Sequence, residues 1–463
     1  MELTIPFGDA SITARAPDNT FVLPTGGTTK SPPAIGDLDG AIRQALAKPL
    51  GSPPVKALAK SGSRVTIAFD DGTVPCFGPY RRLAIAALLE ELDAAGVARE
   101  NIRLICANAL HRKFRSDELR LFLGNDLVDG FGPRLTCHDA EDPENLVHLG
   151  KTDTHGLDVE VHRAVVESDL TIYVNSSHGR GFAGGWKSIC VGLSTFRSIR
   201  HHHTPDGMSM SVRDNRMHRV LDEMGAHLES KIPGRIFKVD AIERNPFEKT
   251  NIFAGSVGAS RAAALDVLEA QFPPRRSLSN DKFDVVLYGV PNWSPYAIFS
   301  HMNPILTLIS SGLGYLGGTI QALGNPGCTV IMATPCPEQW DRVHHPSYPD
   351  VWENVLPFEK DPYAIEKAYT DKYAHHPEYI DMYRNRFAFH PVHGIFATQP
   401  LKRLRHAGKV IVAGIENPAL ARQLGFEPAS SVEEALALAQ GIHGAGYSLV
   451  YAQHPAAQTK VAM

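Results

Sequence analysis

The sequence has few cysteines, little net charge and no long apolar run, and each shortage excludes a class of protein. Its formal net charge of −4 over 463 residues produces no field that would attract nucleic acid or an anionic membrane. No apolar run reaches the roughly 18 residues of a membrane-spanning helix, and residues 1–6 predict a strand rather than a signal peptide. The six cysteines show no CxxC spacing, which disfavours a thiolate zinc site and favours reduced, buried thiols. We therefore expect a cytoplasmic protein with no nucleic-acid or membrane partner.

The composition is that of a large globular protein, with 43% apolar and 21% charged residues. A chain of this length exceeds what one hydrophobic core usually supports, so two domains are expected. A polar, proline-containing stretch predicts a linker at about residues 273–280. We therefore expect an N-terminal domain over residues 1–272 and a C-terminal domain over residues 281–463.

Short apolar runs alternate with amphipathic segments in both halves of the chain. The predicted strands are residues 64–69, 102–107, 170–175, 283–290, 328–333 and 409–414. Helices are predicted after Pro79, after an N-cap at Ser116, and over residues 431–439, while residues 361–387 are predicted to be a helical insertion. This alternation predicts two α/β domains with mostly parallel sheets and an active-site cleft between them.

Three polar side chains, Asp71, His111 and His178, each lie just past the end of a predicted strand. Ligands of parallel α/β sheets bind outside the carboxyl ends of the strands, so three such positions are better evidence than one. His111 and His178 are candidate acid–base residues because imidazole titrates near neutral pH; each is alternatively a structural histidine bonded to the backbone. Asp70 and Asp71 either hold a ribose hydroxyl or cap a turn.

The densest chemical signal is a glycine-rich loop, residues 179–187, that ends at Lys187. Glycines let backbone N–H groups approach an anion closely, and a lysine at the loop's end pairs with phosphate or acts as a nucleophile. The spacing is that of neither a P-loop nor a GxGxxG motif. The alternative interpretation is a tight turn that carries a surface lysine.

Three consecutive histidines, residues 201–203, follow this loop. Imidazole is a ligand for nickel, zinc, copper and iron, but consecutive side chains cannot all face one point, so at most one or two share a site. The alternative is a solvent-exposed run. Two further histidine pairs, at 344–345 and 375–376, lack carboxylate or cysteine partners at ligand spacing and are predicted to lie on the surface.

In combination these motifs resemble the nickel-pincer-nucleotide lactate racemases. That family has D-x-T-R-P, a T-H-R-type loop, and an F-x-G-G-x-K segment whose lysine precedes a histidine by sixteen residues. The matching positions here are Asp71, Thr73, Pro75, the loop 107–112, Gly184, Gly185, Lys187 and His203, with Gly192 and residues 253–255 also in place. The resemblance covers the first domain well and the second only loosely.

The resemblance implies a covalent cofactor in the first domain, over which the second domain closes on the substrate. Lys187 would form a thioamide bond to a nickel-pincer nucleotide, which is a pyridinium-3,5-bisthiocarboxylic acid mononucleotide carrying nickel. His203 would complete the coordination of the nickel. The other implied cofactor-binding residues are Asp71, Thr73, Gly184 and Gly185. The enzymes that make this cofactor are then expected partners.

The implied activity is that of an isomerase, a racemase or epimerase that acts on the hydroxyl-bearing carbon of an α-hydroxy acid or sugar-acid-like substrate. One histidine would remove the hydroxyl proton while the carbinol hydrogen leaves as hydride to the cofactor ring. His111 and His178 would lie on opposite faces of the substrate, since a reversible reaction needs a base on each side.

The chain departs from the family where the family binds the lactate carboxylate. Val74 replaces the arginine of D-x-T-R-P, and an isopropyl group cannot replace a bidentate carboxylate anchor. Phe299, Ser300 and Asn303 stand where the family has tyrosine, glutamine and lysine. Lactate itself is therefore not the expected substrate. Either Arg180, Arg112 or Lys113 binds a carboxylate from another direction, or the substrate is a larger hydroxy acid or a sugar-like polyol bound by Ser300, His301 and Asn303.

Two other hypotheses stay open at this point. One is a hydrolase or lyase with a conventional zinc ion at residues 201–203. The other is a protein without catalytic activity that binds or stores a cofactor on the same scaffold.

Overall fold

The computed structural model describes residues 1–24, 32–177, 184–207, 212–213, 215–271, 279 and 281–454. The chain divides into two compact units. The N-terminal unit comprises Ser31–Phe272 and Tyr383–Phe389; the C-terminal unit comprises Met1–Lys30, Pro273–Met382 and His390–Met463. Among the described residues, no helix is both long enough and apolar enough to cross a bilayer.

The secondary structure of the described residues alternates between strands and helices. The strands are β1 (Glu2–Phe7), β2 (Ala10–Arg15), β3 (Phe21–Leu23), β4 (Val65–Asp70), β5 (Ile102–Ala107), β6 (Leu135–Cys137), β7 (Leu146–Lys151), β8 (Asp158–His162), β9 (Leu170–Ser177), β10 (Ile236–Glu243), β11 (Lys249–Gly255), β12 (Phe283–Gly289), β13 (Gly324–Ala333), β14 (Lys409–Ala413), β15 (Glu427–Ala429) and β16 (Leu449–Ala452). The helices are α1 (Leu38–Ala47), α2 (Val55–Leu58), α3 (Tyr80–Ala94), α4 (Ser116–Leu123), α5 (Asn125–Phe131), α6 (Arg163–Glu167), α7 (Lys187–Cys190), α8 (Phe196–Ile199), α9 (Arg216–Lys231), α10 (Val257–Gln271), α11 (Gly318–Leu323), α12 (Ser347–Asn354), α13 (Pro362–Ala374), α14 (Pro377–Asn385), α15 (Val392–Phe396), α16 (Pro418–Gln423) and α17 (Val432–His443).

The N-terminal unit is built on a six-stranded sheet with the order β11-β10-β9-β4-β5-β6. Strand β11 is antiparallel to β10, and the other neighbours are parallel. Every residue of β4, β9 and β10 is buried, as expected for central strands that are covered on both faces. Because β4, β5 and β9 run parallel, their carboxyl ends lie at one edge of the sheet.

The C-terminal unit contains a second six-stranded sheet, all parallel, with the order β15-β14-β13-β12-β16-β3. The hairpin of β1 and β2 packs on this sheet through Leu3 and Ile5, which join the buried cluster of Val285 and Leu287. The predicted class, two α/β domains with mostly parallel sheets, is confirmed. An active-site cleft between them stays a prediction.

The structure assigns two segments differently from the domain boundaries that we expected. Residues 1–30 lie in the C-terminal unit, because β3 pairs with β16 at the edge of its sheet. Residues Tyr383–Phe389 lie in the N-terminal unit, where the Tyr383 hydroxyl accepts a hydrogen bond from the Ala140 N–H. The boundary between the long segments falls at Phe272 and Pro273; the predicted linker lies almost wholly outside the described residues.

The predicted strands match the observed strands to within a few residues, and two predicted helices need comment. Ser116 is the first helical residue rather than the N-cap: the N-cap is Arg115, whose N–H donates to the Glu118 carboxylate. Residues 361–387 form the two helices α13 and α14, so their helical character is confirmed. Their role as an insertion stays a prediction.

Helix α9 packs closely against Trp186, the residue that precedes Lys187 at the start of α7. Gly225 of α9 faces Trp186, and a Cβ at Gly225 would lie only 2.1 Å from the indole Cγ. A side chain of any size at position 225 must therefore displace Trp186. Glycine, a poor helix former, is required here by the close approach of the indole.

We predict that Gly225→Ala destabilises the protein, whereas Gly258→Ala in α10 does not. Overpacking against Trp186 should cost roughly 1–3 kcal/mol, while a Cβ at Gly258 meets nothing within 4 Å and should leave stability within about 1 kcal/mol of wild type. Urea unfolding followed by tryptophan fluorescence measures both variants. Equal stabilities for the two variants would contradict the contact.

Candidate active site

The site begins with two adjacent carboxylates where β4 ends. Asp70, the last residue of β4, accepts hydrogen bonds from the Tyr173 hydroxyl (3.0 Å) and the Ser176 N–H (2.7 Å), both on the neighbouring strand β9. Burial raises the pKa of Asp70 above its ordinary value. These bonds join the carboxyl ends of β4 and β9 and leave Asp71 as the first residue beyond the sheet.

Asp71 organises the loop after β4 and binds His111 from the loop after β5. Its Oδ1 accepts from the Thr73 hydroxyl (2.6 Å), and its Oδ2 lies 2.8 Å from His111 Nδ1. Burial would raise the pKa of the Asp71 carboxyl, but the positive charge of His111 and hydrogen bonds from His111 and Thr73 hold it below its ordinary value. A carboxylate accepts only, so Nδ1 of His111 carries the proton, and in the neutral imidazole Nε2 carries the lone pair.

A buried arginine that our sequence analysis missed shapes the same loop. Arg81 of α3 is 1% exposed, and its guanidinium donates to the carbonyls of Asp71, Val74 and Cys76. The periodicity of α3 contained the signal, since position 81 lies on the same face as the buried Ala84, Ile85 and Leu88. Val74 is therefore held by its backbone, with its side chain partly exposed.

A buried ion pair joins the loop that carries His111 to helix α4. Arg112 donates to both carboxylate oxygens of Glu118, at 3.0 and 2.8 Å, and the two side chains are 1% and 3% exposed. The His111 ring lies 5.6 Å from the ring of Phe389. The Arg112 guanidinium is paired with Glu118, and the Lys113 ammonium is paired with Asp139 at 2.7 Å. A substrate carboxylate would have to compete with these carboxylates for either cation.

Lys187 begins the short helix α7, directly after a tight glycine turn. Gly184 and Gly185 adopt positive φ angles of 81° and 58°, a backbone conformation that side chains rarely allow. A Cβ on either residue would approach Ser177 or Arg261 to within about 3 Å. Removal from water lowers the pKa of the Lys187 ammonium; Asp70 and Asp71 oppose this shift, and the charges of Lys238 and Arg261 add to it.

The three consecutive histidines have three different environments, as the spacing predicted. His201 Nε2 accepts a hydrogen bond from the Asp158 N–H at 3.1 Å, and His202 is fully buried. His203 is half-buried, with its Nδ1 2.8 Å from Nδ1 of His202. Removal from water, together with the charges of His202, Lys187 and His111, holds the pKa of His203 well below its ordinary value. His203 is therefore neutral, the form in which imidazole binds a metal.

Because the charges of both Lys187 and His111 lower the pKa of His203, the three side chains lie near one another in the N-terminal unit. The structure thereby brings together the predicted attachment lysine, the predicted metal ligand and one predicted base. The second predicted base, His178, and the predicted substrate residue Arg180 lie outside the described residues. Their roles stay predictions.

The other predicted substrate residues follow β12 in the C-terminal unit. Asn303 is fully buried, and its Oδ1 accepts from the Leu306 N–H at 3.0 Å, where it caps a π-helical segment, Ile305–Leu316. His301 is exposed, and Phe299 is partly exposed with a φ of 58°. Ser300 donates to Asp341 at 2.6 Å. Their roles toward a substrate stay predictions.

Asp341 is the centre of a polar cluster around Ser300 that our sequence analysis missed. Its carboxylate also accepts from His344 Nδ1 and from two backbone N–H groups. Burial opposes ionisation, but the bonds from His344 and Ser300 hold the pKa of Asp341 far below its ordinary value. His345, predicted to lie on the surface, is instead 1% exposed, because its Nε2 donates to the Tyr296 carbonyl at 2.9 Å.

The chain is similar to known proteins over both its sequence and its fold. Residues 7–215 match the family model described as the lactate racemase N-terminal domain. The lactate racemase of Thermoanaerobacterium thermosaccharolyticum is 24% identical over 231 residues, which cover 47% of this chain and 52% of that protein. The lactate racemase of Lactiplantibacillus plantarum is 24% identical over 237 residues, covering 49% and 53%. The chain thus spans about half the length of the curated relatives it matches.

Two solved structures share the fold. The lactate racemase apoprotein from T. thermosaccharolyticum has a TM-score of 0.68 at 19% sequence identity, with 98% of each chain covered. A protein from Thermotoga maritima has a TM-score of 0.56 at 15% identity, with 91% of this chain and 97% of that chain covered. The two-unit α/β architecture is therefore shared over almost the full length.

Proposed function

We propose that the chain, whose residues 7–215 match the lactate racemase N-terminal domain, is a lactate racemase-like isomerase that racemises or epimerises a hydroxyl-bearing carbon. The cofactor would be the nickel-pincer nucleotide attached to Lys187, supplied by its biosynthetic enzymes. The proposal is supported by one observation above all. A carboxylate-bound histidine, His111, shares its surroundings with a half-buried amine, Lys187, and a neutral imidazole, His203.

The residues present fit the proposed cofactor. A pincer supplies three donor atoms of its own, so the protein needs to add only one metal ligand, and His203 is kept neutral for that role. The tautomer in which His203 Nδ1 donates to His202 presents Nε2 as the lone-pair nitrogen. Gly184 and Gly185 have no Cβ atoms, which leaves space beside Ser177 and Arg261 that any other residue would fill.

A conventional zinc hydrolase or lyase has less support. Such a site uses three protein ligands around one metal, but His201 is directed to Asp158 and His202 is enclosed by protein. Within the described part of the chain, no group of three histidine, cysteine or acidic side chains is arranged to hold a metal ion. The run at residues 201–203 therefore offers one ligand, His203, rather than a set.

The chemistry assigned to the protein's own residues is proton transfer and orientation. Asp71 fixes the proton of His111 on Nδ1, so that Nε2 can accept the substrate hydroxyl proton, and Asp71 stabilises the imidazolium that results. When bound, the cofactor would take the carbinol hydrogen as hydride and return it to either face. A second base on the opposite face is required, and His178 is proposed for it.

The polar groups near Ser300 favour a hydroxyl-rich substrate over lactate. Asp341, an ionised carboxylate bound to Ser300, would repel a substrate carboxylate at that position. Ser300 donates to Asp341 and its oxygen also lies 3.3 Å from His345 Nδ1. Because a hydroxyl oxygen has two lone pairs, we propose that it accepts from a substrate hydroxyl. Asn303, which stands where the family has lysine, caps a helix. We therefore propose a sugar acid or polyol as the substrate class.

The cofactor assignment predicts a covalent mass increase on Lys187 and one nickel per chain when the protein is coexpressed with the cofactor-making enzymes. Peptide mass spectrometry and metal analysis measure both; Lys187→Ala should abolish the adduct, and Lys113→Ala should retain it. A substrate deuterated at the carbinol carbon should keep its deuterium through inversion in ordinary water. An unmodified Lys187, or zinc with full activity and no nucleotide, would overturn the assignment.

If Asp71 and His111 act together as a hydrogen-bonded dyad, Asp71→Asn and His111→Gln should each lower kcat by roughly 10²–10⁴-fold without removing the Lys187 adduct. The double variant should be little worse than either single one, because the two side chains act as a unit. Turnover is followed by chiral chromatography of hydroxy acids and sugar acids. Retained adduct with undiminished kcat would show a protein that binds the cofactor without using this dyad.

A further inference from the structure

A second lysine, Lys238, lies fully buried beneath the turn that carries Lys187. It stands in the middle of β10, between apolar neighbours, and its side chain is 0% exposed. Its Nζ lies 3.2 Å from Asp240 Oδ1 and 4.6 Å from the centroid of the Tyr173 ring. A buried ammonium is costly even when paired, so a residue of this kind needs a reason beyond packing.

The ammonium of Lys238 also donates to the Ser188 hydroxyl. Ser188 directly follows Lys187 in α7, and its own hydroxyl lies 3.4 Å from Asn175 Oδ1 on β9. The helix has only four residues, Lys187–Cys190, and a helix this short has little stability of its own. The side-chain bonds of Ser188 therefore tie the start of α7 to the sheet.

We propose that Lys238 is a positioning residue for cofactor attachment: through Ser188 it holds the first turn of α7, and with it the amine of Lys187, in place for acylation. This proposal rests on the proposed function. Lys238 and Asp240 are on one strand, two residues apart and on the same face, so the pair is built into β10. The only link to Lys187 that the proposal requires is the hydrogen bond to Ser188.

The attachment reaction shows why a positioned, unprotonated amine is needed. The Lys187 nitrogen attacks the carbon of a thiocarboxylic acid, a C–N bond forms, and the carboxyl oxygen leaves as water, so that a thioamide remains. Only the free amine can attack. Removal from water lowers the pKa of Lys187, Asp70 and Asp71 oppose that shift, and the charge of Lys238 adds to it. Position and charge thus act in the same direction.

The test uses acetic anhydride on the full-length protein without cofactor, at one pH near neutrality. Peptide mass spectrometry reports the acetylation of Lys187 relative to the other lysines. Lys238→Met should lower the relative labelling of Lys187 by about tenfold, because the amine loses both its support and a neighbouring cation. Ser188→Ala should lower it several-fold, and Ser188→Thr, which keeps a hydroxyl, should restore it.

Two controls separate positioning from general loss of structure. Lys249→Met removes another fully buried lysine, paired with Glu243 at 3.3 Å, and should leave Lys187 labelling unchanged. The double variant Lys238→Met with Ser188→Ala should label no more slowly than Lys238→Met alone, since both changes break one link. Wild-type labelling in Lys238→Met or in Ser188→Ala, or full additivity of the two, would overturn the proposal.

A second measurement distinguishes failure here from failure of the proposed function. Wild type, Lys238→Met and Lys249→Met are coexpressed with the cofactor-making enzymes, and the modified fraction of Lys187 is measured. A reduced fraction in Lys238→Met alone supports the proposal. Full modification in Lys238→Met overturns it while the proposed function stands. An unmodified wild type overturns the cofactor assignment, and the labelling result then decides whether Lys238 positions Lys187.

Discussion

Asp71 is the first residue after β4, and its buried carboxylate accepts hydrogen bonds from Thr73 and His111. The arrangement of the site depends on this interaction, because it joins the loops that follow two neighbouring parallel strands. It also decides which nitrogen of His111 carries the proton. Without Asp71, either tautomer of the imidazole would be open to His111. With it, the base has a single orientation, which is what reversible proton transfer at a carbinol requires.

The buried charges around this interaction are arranged in compensating groups. Asp70 is bonded to Tyr173 and the backbone, Arg112 to Glu118, and Lys238 to Asp240. The bonds of Asp70 join β4 to β9, the Arg112–Glu118 pair joins the His111 loop to α4, and Lys238 reaches α7 through Ser188. Side-chain bonds, rather than long helices, thus hold the backbone around His111 and Lys187. Removing one partner of such a pair leaves an uncompensated charge, which is strongly destabilising. The supports of the site are thus buried side-chain bonds, and two of them join oppositely charged groups.

The sequence predicted the fold class, and it singled out Asp71, His111 and Lys187 because each follows a recognisable strand or glycine turn. It singled out His203 only through the resemblance to a family in which a histidine follows the lysine by sixteen residues. It could not predict that Asp71 and His111, 40 residues apart, form a pair, since this depends on the order of β4 and β5 in the sheet. The alternatives of a ribose contact or a capped turn for Asp71 were equally consistent with its local pattern.

For other parts of the site, the sequence shows the residue types but not their partners. Lys238 and Asp240 place two charged side chains on the same face of an otherwise apolar strand, which the sequence shows. Only the structure shows that Lys238 contacts Ser188 and so suggests a role for the charge. Asn303 shows the reverse, since a polar residue at a family substrate position caps a helix here. Residues 1–30 were assigned to the wrong unit because β3 joins a sheet whose other strands lie more than 200 residues later. Such long-range pairing leaves no local trace.

The tautomer of His111 tests the central claim most directly and needs neither cofactor nor substrate. Protein labelled with ¹⁵N in its histidines, with His111→Gln for assignment, would be measured under conditions where the imidazole is neutral. We expect His111 to carry its proton on Nδ1, and to lose that preference in Asp71→Asn. A proton on Nε2 in the wild-type protein would contradict the proposed role of Asp71 and, with it, the assignment of His111 as the base.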